Sequence, residues 1–163
     1  MELKFKGTAI KTNGSFPKVG DVLPEMRLVK ADLSDLNTND LKGKKVVFNI
    51  FPSVDTAVCA MQLNKFADKL KDRDDVALVF TSLDLPFAFK RFCADEGIEN
   101  AITTSDFRYR DADKLGVVME GGPLNGLHAR GVIVTDENLV IQHSELVEEV
   151  TNEPDYQAAL NVI

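Results

Sequence analysis

From Lys45 to Phe51 the chain reads Lys-Val-Val-Phe-Asn-Ile-Phe, apolar at almost every position, and Pro52 closes the run. A short, dense run of this kind predicts a strand buried on both faces, as in a parallel sheet. The period then changes. From about Ala57 to Lys71, Leu63, Phe66, Ala67 and Leu70 fall on one stripe, which predicts a helix with Asp55 or Thr56 as its N-cap. Val76 to Leu83 reads as the next strand, and Asp84 and Pro86 open a second helix that stops at Gly97. Upstream, Leu3 and Phe5 alternate with lysine and the Asn13-Gly14 turn signal follows, so an N-terminal β-hairpin is expected. Downstream, Ala101–Ser105 and Asp111–Gly116 predict a short strand and a short helix. Arg130–Thr135 and Leu139–His143 predict two strands joined by Asp136-Glu137-Asn138, and Pro154 sits in the first turn of a closing helix that ends near Val162.

The resulting order is β-α-β-α, an insertion, then β-β-α. Right-handed crossovers make the first half parallel, and the short turn makes the last pair antiparallel. This is the order of an α/β thioredoxin-like fold carrying an N-terminal β-hairpin and a β-α insertion. No repeat, low-complexity tract or Pro/Gly/Ser linker divides the 163 residues, so a single domain over 1–163 is expected. A chain of this length buries about 69% of its unfolded surface, enough for a core without staples.

Composition narrows the functional classes. Lys plus Arg number 19 against 26 Asp plus Glu, a net charge of −7, and no basic stripe is present. Neither nucleic acid nor an anionic membrane is an expected partner. No apolar stretch near the N-terminus is long enough for a signal-peptide core, and the longest apolar run is far short of a membrane span. Two cysteines, Cys59 and Cys93, fit a reduced, cytoplasmic chain. Gly121 to Gly126 has the glycine spacing of a phosphate loop, but Leu127-His128 stands where Lys and Ser/Thr are required. His128 and His143 are the only histidines, too few for a multi-histidine metal centre, and each is expected to be a surface or hydrogen-bonded residue. Asp72–Asp75 reads as a solvated helix end and Glu148-Glu149 as a solvated turn.

The segment Pro52-Ser53-Val54-Asp55-Thr56-Ala57-Val58-Cys59 carries the candidate chemistry. It lies at the carboxyl end of the first core strand, where open α/β sheets place their ligands. Cys59 falls in the first turn of the following helix, where unpaired N–H groups and the helix dipole favour an anion and hence a reactive thiolate. A disulfide oxidoreductase of this fold has Cys-x-x-Cys at this point. Here Thr56 takes the slot of the attacking cysteine, which argues against thioredoxin-type exchange.

Pro-x-x-x-Thr-x-x-Cys, present as PSVDTAVC, resembles the peroxiredoxin active-site pattern. FNIFPSVDTAVC, LPFAFKRFC, GPLNGLHARGVIV and TNEPDYQAAL together resemble the bacterial thiol peroxidases, atypical 2-Cys peroxiredoxins, over nearly the whole chain, and the cysteine separation of 34 fits them. The resemblance implies a peroxidatic Cys59, a Thr56 hydroxyl that orients thiolate and peroxide, a shielding Pro52, Arg130 as positive partner of Cys59, and Cys93 as resolving cysteine in the same subunit. It also implies thioredoxin as reductant, a hydroperoxide as substrate, a homodimer packed near the site, and no cofactor or metal. Gly131 after Arg130 is a small departure from the family pattern. Read from the residues alone, Arg130 opening a strand is an ordinary surface charge, and Cys93 beside Phe89 and Phe92 is a buried structural thiol. Apolar Phe51, Val54 and Val58 near the motif suggest tolerance of alkyl hydroperoxides, all three being also readable as core, Phe51 above all. Two other readings use the same residues: a redox sensor of this fold, and an inert thioredoxin-like module.

Thiolate formation alone cannot make a fast peroxidase. Lowering a thiol pKa from about 8.5 to about 6 raises the ionised fraction at pH 7 roughly thirtyfold. A Brønsted slope of about 0.45 removes roughly thirteenfold of that in nucleophilicity. Donors aimed at the oxygen that leaves, each contributing about 3–4 kcal/mol, matter more. Two cysteines on separate helices are expected to need local unwinding before they meet the roughly 7 Å Cα limit of a disulfide.

Overall fold

The computed structural model describes residues 1–163. The chain folds as β1 (Glu2–Phe5), β2 (Thr8–Thr12), β3 (Arg27–Lys30), β4 (Asp35–Asn37), β5 (Lys45–Ile50), α1 (Ala57–Leu70), β6 (Val76–Ser82), α2 (Pro86–Glu96), β7 (Ile102–Ser105), a 3-10 turn (Asp111–Leu115), β8 (Met119–Glu120), β9 (Gly131–Thr135), β10 (Ile141–Leu146) and α3 (Tyr156–Leu160). Seven strands form the main sheet in the order β10-β9-β5-β6-β7-β3-β4. β5, β6 and β7 are parallel, and β9 is antiparallel to both β5 and β10. This is the expected thioredoxin-like α/β arrangement with its hairpin and β-α insertion.

Period-2 alternation in β5 divides the core. Val46, Phe48 and Ile50 face a layer built from Phe16, Leu23, Met26, Leu28 and the 3-10 turn. Val47 and Phe51 face the helices, where Leu63 and Phe66 of α1, Phe89 of α2 and Ala159 of α3 pack, and Cys59 belongs to this helical-side cluster. α3 is held by Tyr156, whose ring lies edge-on to Phe66 at 5.1 Å. No helix is long and apolar enough to cross a membrane.

Several elements differ from the sequence expectation. The N-terminal hairpin turns at Lys6-Gly7, not at Asn13-Gly14. Phe5 pairs with Thr8, and both turn residues have positive φ (48° and 81°), the two-residue geometry matching the strand twist. Asn13 instead docks the hairpin: its Nδ2 donates to Asp113 O and its Oδ1 accepts from Val118 N, each at 3.0 Å. The strand expected to start at Leu139 starts at Ile141, because Leu139 is left-handed (φ 65°) and the pairing is irregular between Ile141 and His143. α3 stops at Leu160 rather than near Val162; Asp155 caps it through Ala158 N at 3.0 Å. β3, β4 and β8 lie outside the sequence expectation, being only four, three and two residues long.

Candidate active site

Sheet register brings the chemistry together. β9 runs antiparallel to β5 with Gly131 opposite Ile50, so Arg130 arrives where β5 ends and α1 begins. Cys59 stands in the first turn of α1 and is fully buried. Arg130, 2% exposed, donates from Nη1 to Cys59 Sγ at 3.3 Å. Its Nε donates to Val150 O at 3.1 Å, and Nη1 also reaches Gln62 Oε1 at 3.1 Å. Gln62 Nε2 donates to Asn49 Oδ1 (2.8 Å), and Asn49 Nδ2 donates to Val79 O (3.2 Å). A buried polar chain thus fixes the guanidinium from the sheet side. Sequence reading missed Gln62 and Asn49. The signal was present, as a polar residue one turn after Cys59 on the apolar stripe of α1 and another inside the apolar run of β5.

Thr56 occupies the N-cap position with extended backbone (φ −92°, ψ 146°), yet its hydroxyl makes no cap bond and donates to Ser53 O at 3.0 Å. The first-turn N–H groups of α1 are therefore not spent on a side-chain cap. Asp84 braces the loop before the helix. Its carboxylate accepts from Val54 N and from Ser53 Oγ, each at 2.7 Å, and from Ser82 Oγ. On the surface, Arg91 of α2 meets Asp55 at 3.2 Å.

Thr56, Pro52, Val58 and Arg130 line an open pocket of about 120 Å³, to which Phe5, Leu124 and Val150 also contribute. Phe51 and Val54, by contrast, are core residues, 0% and 1% exposed; of the three apolar neighbours noted in the sequence only Val58 reaches the pocket. Phe5 comes from the N-terminal hairpin and Leu124 from the glycine-containing loop, contributions that spacing along the chain does not reveal.

Cys93 lies on α2, half-buried, and both cysteines are free thiols. Burial pushes the Cys93 thiol above its ordinary range, so the structure presents it protonated. Gly131 has a packing reason: a Cβ there would stand 2.8 Å from the Phe16 ring and 3.2 Å from Glu145 O.

One other cluster has metal-ligand spacing. His128, fully buried, places Nε2 at 3.0 Å from Asp113 Oδ1 and 3.5 Å from Asp106 Oδ2. The donor set already has protein partners. Arg110 Nη2 is 3.0 Å from the same Asp113 oxygen, and Ala112 N donates to both Asp106 oxygens at 3.2 Å. Burial lifts the Asp106 carboxyl to about 7 and keeps His128 below the usual imidazole range. Two of the cluster's three members, His128 and Asp106, are buried and the third, Asp113, is partly exposed; His128 is hydrogen-bonded rather than superficial. Glu149 is likewise not merely solvated: its Oε1 accepts from Gly7 N at 2.8 Å.

A thioredoxin-like sheet with a buried thiol under an arginine at a helix start defines a site of the peroxiredoxin type. Comparison with known proteins agrees. The Redoxin family model matches residues 18–160. The chain is 48% identical over 161 residues to the thiol peroxidase of Vibrio cholerae, covering 98% of each chain. It is 47% identical over 156 residues to that of Corynebacterium glutamicum, covering 96% and 94% respectively. Among solved structures, a peroxiredoxin-like protein from Aquifex aeolicus superposes with a TM-score of 0.93 at 37% identity, covering 99% of this chain and 94% of that one. The thiol peroxidase of Chromobacterium violaceum shares the fold, with a TM-score of 0.90 at 22% identity over the same shares. The chain belongs to the thiol peroxidases of the redoxin family and is a peroxiredoxin-type peroxidase.

Proposed function

We propose that the protein reduces hydrogen peroxide and alkyl hydroperoxides through Cys59, with Cys93 as resolving partner in the same subunit and thioredoxin as reductant. The observation that carries this reading is the 3.3 Å contact of Arg130 Nη1 with Cys59 Sγ in the first turn of α1, beside an apolar pocket. The Cys59 thiolate attacks one peroxide oxygen. The O–O bond breaks, and the other oxygen leaves as alkoxide or hydroxide and takes a proton, leaving a sulfenic acid on Cys59. Arg130 and the first-turn N–H groups serve the leaving charge, joined by the Thr56 hydroxyl once it turns from Ser53 O toward the peroxide. Pro52 forms the pocket wall that keeps water from the sulfur. The Cys93 thiol then gives up its proton as its sulfur attacks the Cys59 sulfur; the S–O bond breaks and the leaving hydroxide takes that proton to depart as water, forming the Cys59–Cys93 disulfide. Two thiol exchanges with the thioredoxin dithiol return both thiols.

Phe5, Leu124 and Val150 suit an alkyl substituent on the peroxide. Leu85, Phe87 and Phe107 are 51%, 63% and 41% exposed, and they follow β6 and β7 at the same sheet edge as the site. This apolar surface supports a homodimer of single-domain subunits packed beside the pocket. Bacterial relatives support a cytoplasmic location.

NADPH consumption with thioredoxin, thioredoxin reductase and cumene hydroperoxide tests the reading. Turnover in wild type and none in Cys59→Ser is expected. No turnover in wild type with thioredoxin, with a disulfide still forming on peroxide treatment, transfers the chain to the redox-sensor reading.

A further inference from the structure

Asp84 stands at the junction of the two segments expected to unwind before the cysteines meet. It immediately precedes α2, the helix that carries Cys93, and its carboxylate reaches across to the loop that leads into Cys59. Three donors converge on it: Val54 N–H, Ser53 Oγ–H and Ser82 Oγ–H. Ser53 passes the restraint on. Its Oγ accepts from Asp55 N at 3.2 Å, and its carbonyl accepts from Thr56 N (3.1 Å) and from the Thr56 hydroxyl (3.0 Å). One half-buried carboxylate thereby fixes the loop from Ser53 to Thr56 and, with it, the start of α1. Bonds to an ionised acceptor are the strong kind, and these are short. The other polar side-chain tie between loop and α2, Arg91 to Asp55, has side chains 62% and 64% exposed and contributes little in water, while Val54 joins the same apolar cluster as Phe89 of α2.

We propose that Asp84 is a positioning residue that latches the Cys59 loop to the base of the Cys93 helix, setting the balance between the closed form that reacts with peroxide and the opened form in which Cys93 reaches the Cys59 sulfenic acid. This proposal rests on the Cys59–Cys93 pairing proposed above. The latch favours the first step and restrains the second. Weakening it therefore shifts the two steps in opposite senses, which a general loss of folding does not do.

Quenched-flow mass spectrometry after addition of cumene hydroperoxide reads both steps, with dimedone-trapped sulfenic acid for the first and the Cys59–Cys93 disulfide for the second. In Asp84→Asn the disulfide step is expected to accelerate about tenfold, the factor one charge-assisted hydrogen bond supplies. Sulfenic acid formation, measured in a Cys93→Ser background, is expected to slow. Ser53→Ala removes one donor to Asp84 and the acceptor of Asp55 N, and leaves the carboxylate in place; it is expected to accelerate the disulfide step at least threefold, and it carries the test if Asp84→Asn does not fold. Arg91→Ala serves as control and leaves both steps within twofold. A disulfide step accelerated less than threefold in the folded variants overturns the latch. Wild type that forms no Cys59–Cys93 disulfide refutes the pairing itself, and the latch falls with it.

Discussion

Replacing Arg130 by methionine separates the two things a guanidinium can do for a reacting thiolate. Methionine keeps much of the buried stem and removes the charge and the donors. Val150 O and Gln62 Oε1 then lose their partners, and each orphaned buried acceptor costs about 1–3 kcal/mol. A total near 2–6 kcal/mol is expected in urea denaturation, a loss within the margin of a chain this size. The rate is the decisive quantity. If the arginine acted only by favouring the thiolate, raising the pH would restore the reaction, because at full ionisation the thiolate fractions are equal and the thiolate of higher pKa is the better nucleophile. If it acts on the oxygen that leaves, the deficit persists when the thiol is fully ionised, at about a hundredfold to a thousandfold for one preorganised donor. The assay is single-turnover oxidation of Cys59 by cumene hydroperoxide in a Cys93→Ser background from pH 5 to 10, read at the pH-independent plateau. A plateau at least a hundredfold lower is expected. A plateau within fivefold of the parent, with only the midpoint displaced, refutes the transition-state role.

Three further outcomes follow from the same structure. Leu124→Ala empties one wall of the pocket and is expected to raise KM for cumene hydroperoxide about tenfold while leaving hydrogen peroxide kinetics within twofold; equal changes for both peroxides exclude an alkyl subsite there. Asp106, held near 7 in the folded protein against 3.8 for a free carboxyl, binds its proton between those values in the folded state and not in the unfolded one. Its contribution is therefore full at pH 4 and falls away as pH rises to 7. Asp106→Asn lacks that slope, so its denaturant midpoint should gain on wild type steadily from pH 4 to 7, whereas parallel pH curves refute the burial of a protonated carboxyl. His128, kept neutral by burial, has the opposite slope below about 6.5 and is present in both proteins. Gly131→Ala drives a methyl into the Phe16 ring and is expected to cost about 1–3 kcal/mol; an unchanged midpoint would show that Phe16 moves aside freely.

Legibility followed the range of the interactions. β5, α1, β6 and α2 could be read because each has its own period and its own stop, Pro52 after β5 and Gly97, in left-handed geometry, after α2. β3, β4 and β8 have no such signature and exist because neighbouring strands pair with them. Asn13-Gly14 is a strong local turn signal that tertiary packing overrode: Gly14 lies so close to Gly116 that a Cβ on it would stand 3.4 Å from the Gly116 Cα, and Asn13 is spent on docking. In the site, the position of Cys59 was local information, being one turn into a helix. The reach of Arg130 was not, since it depends on the pairing of Gly131 with Ile50 across 81 positions of chain, the difference of the two residue numbers. Gln62 and Asn49 lay between these cases, visible as polar breaks in apolar patterns but meaningless until the fold faced them toward each other.

That polar chain bears on why the arginine suits a transient charge. A guanidinium almost wholly out of water needs compensation, and removing it from solvent without an anion is costly. The groups that hold Arg130 are a carbonyl oxygen, a side-chain amide oxygen and the sulfur of Cys59. Two are neutral dipoles, adequate to orient the fork but too weak to neutralise it. A carboxylate in place of Gln62 would quench the positive field permanently, and the site would gain little when negative charge arrived. With an amide there, the field stays available at the pocket wall formed by Arg130 itself. The donor geometry is then fixed in advance by Asn49 and Gln62, and in the proposed reaction the positive charge meets the oxyanion that O–O cleavage delivers. Gln62→Glu separates these cases. It preserves the acceptor facing Nη1 but removes the donor to Asn49 Oδ1, and it should lower the plateau rate of Cys59 oxidation in the folded variant; a rate equal to or above that of the glutamine protein would mean that the available positive field is not what the reaction uses.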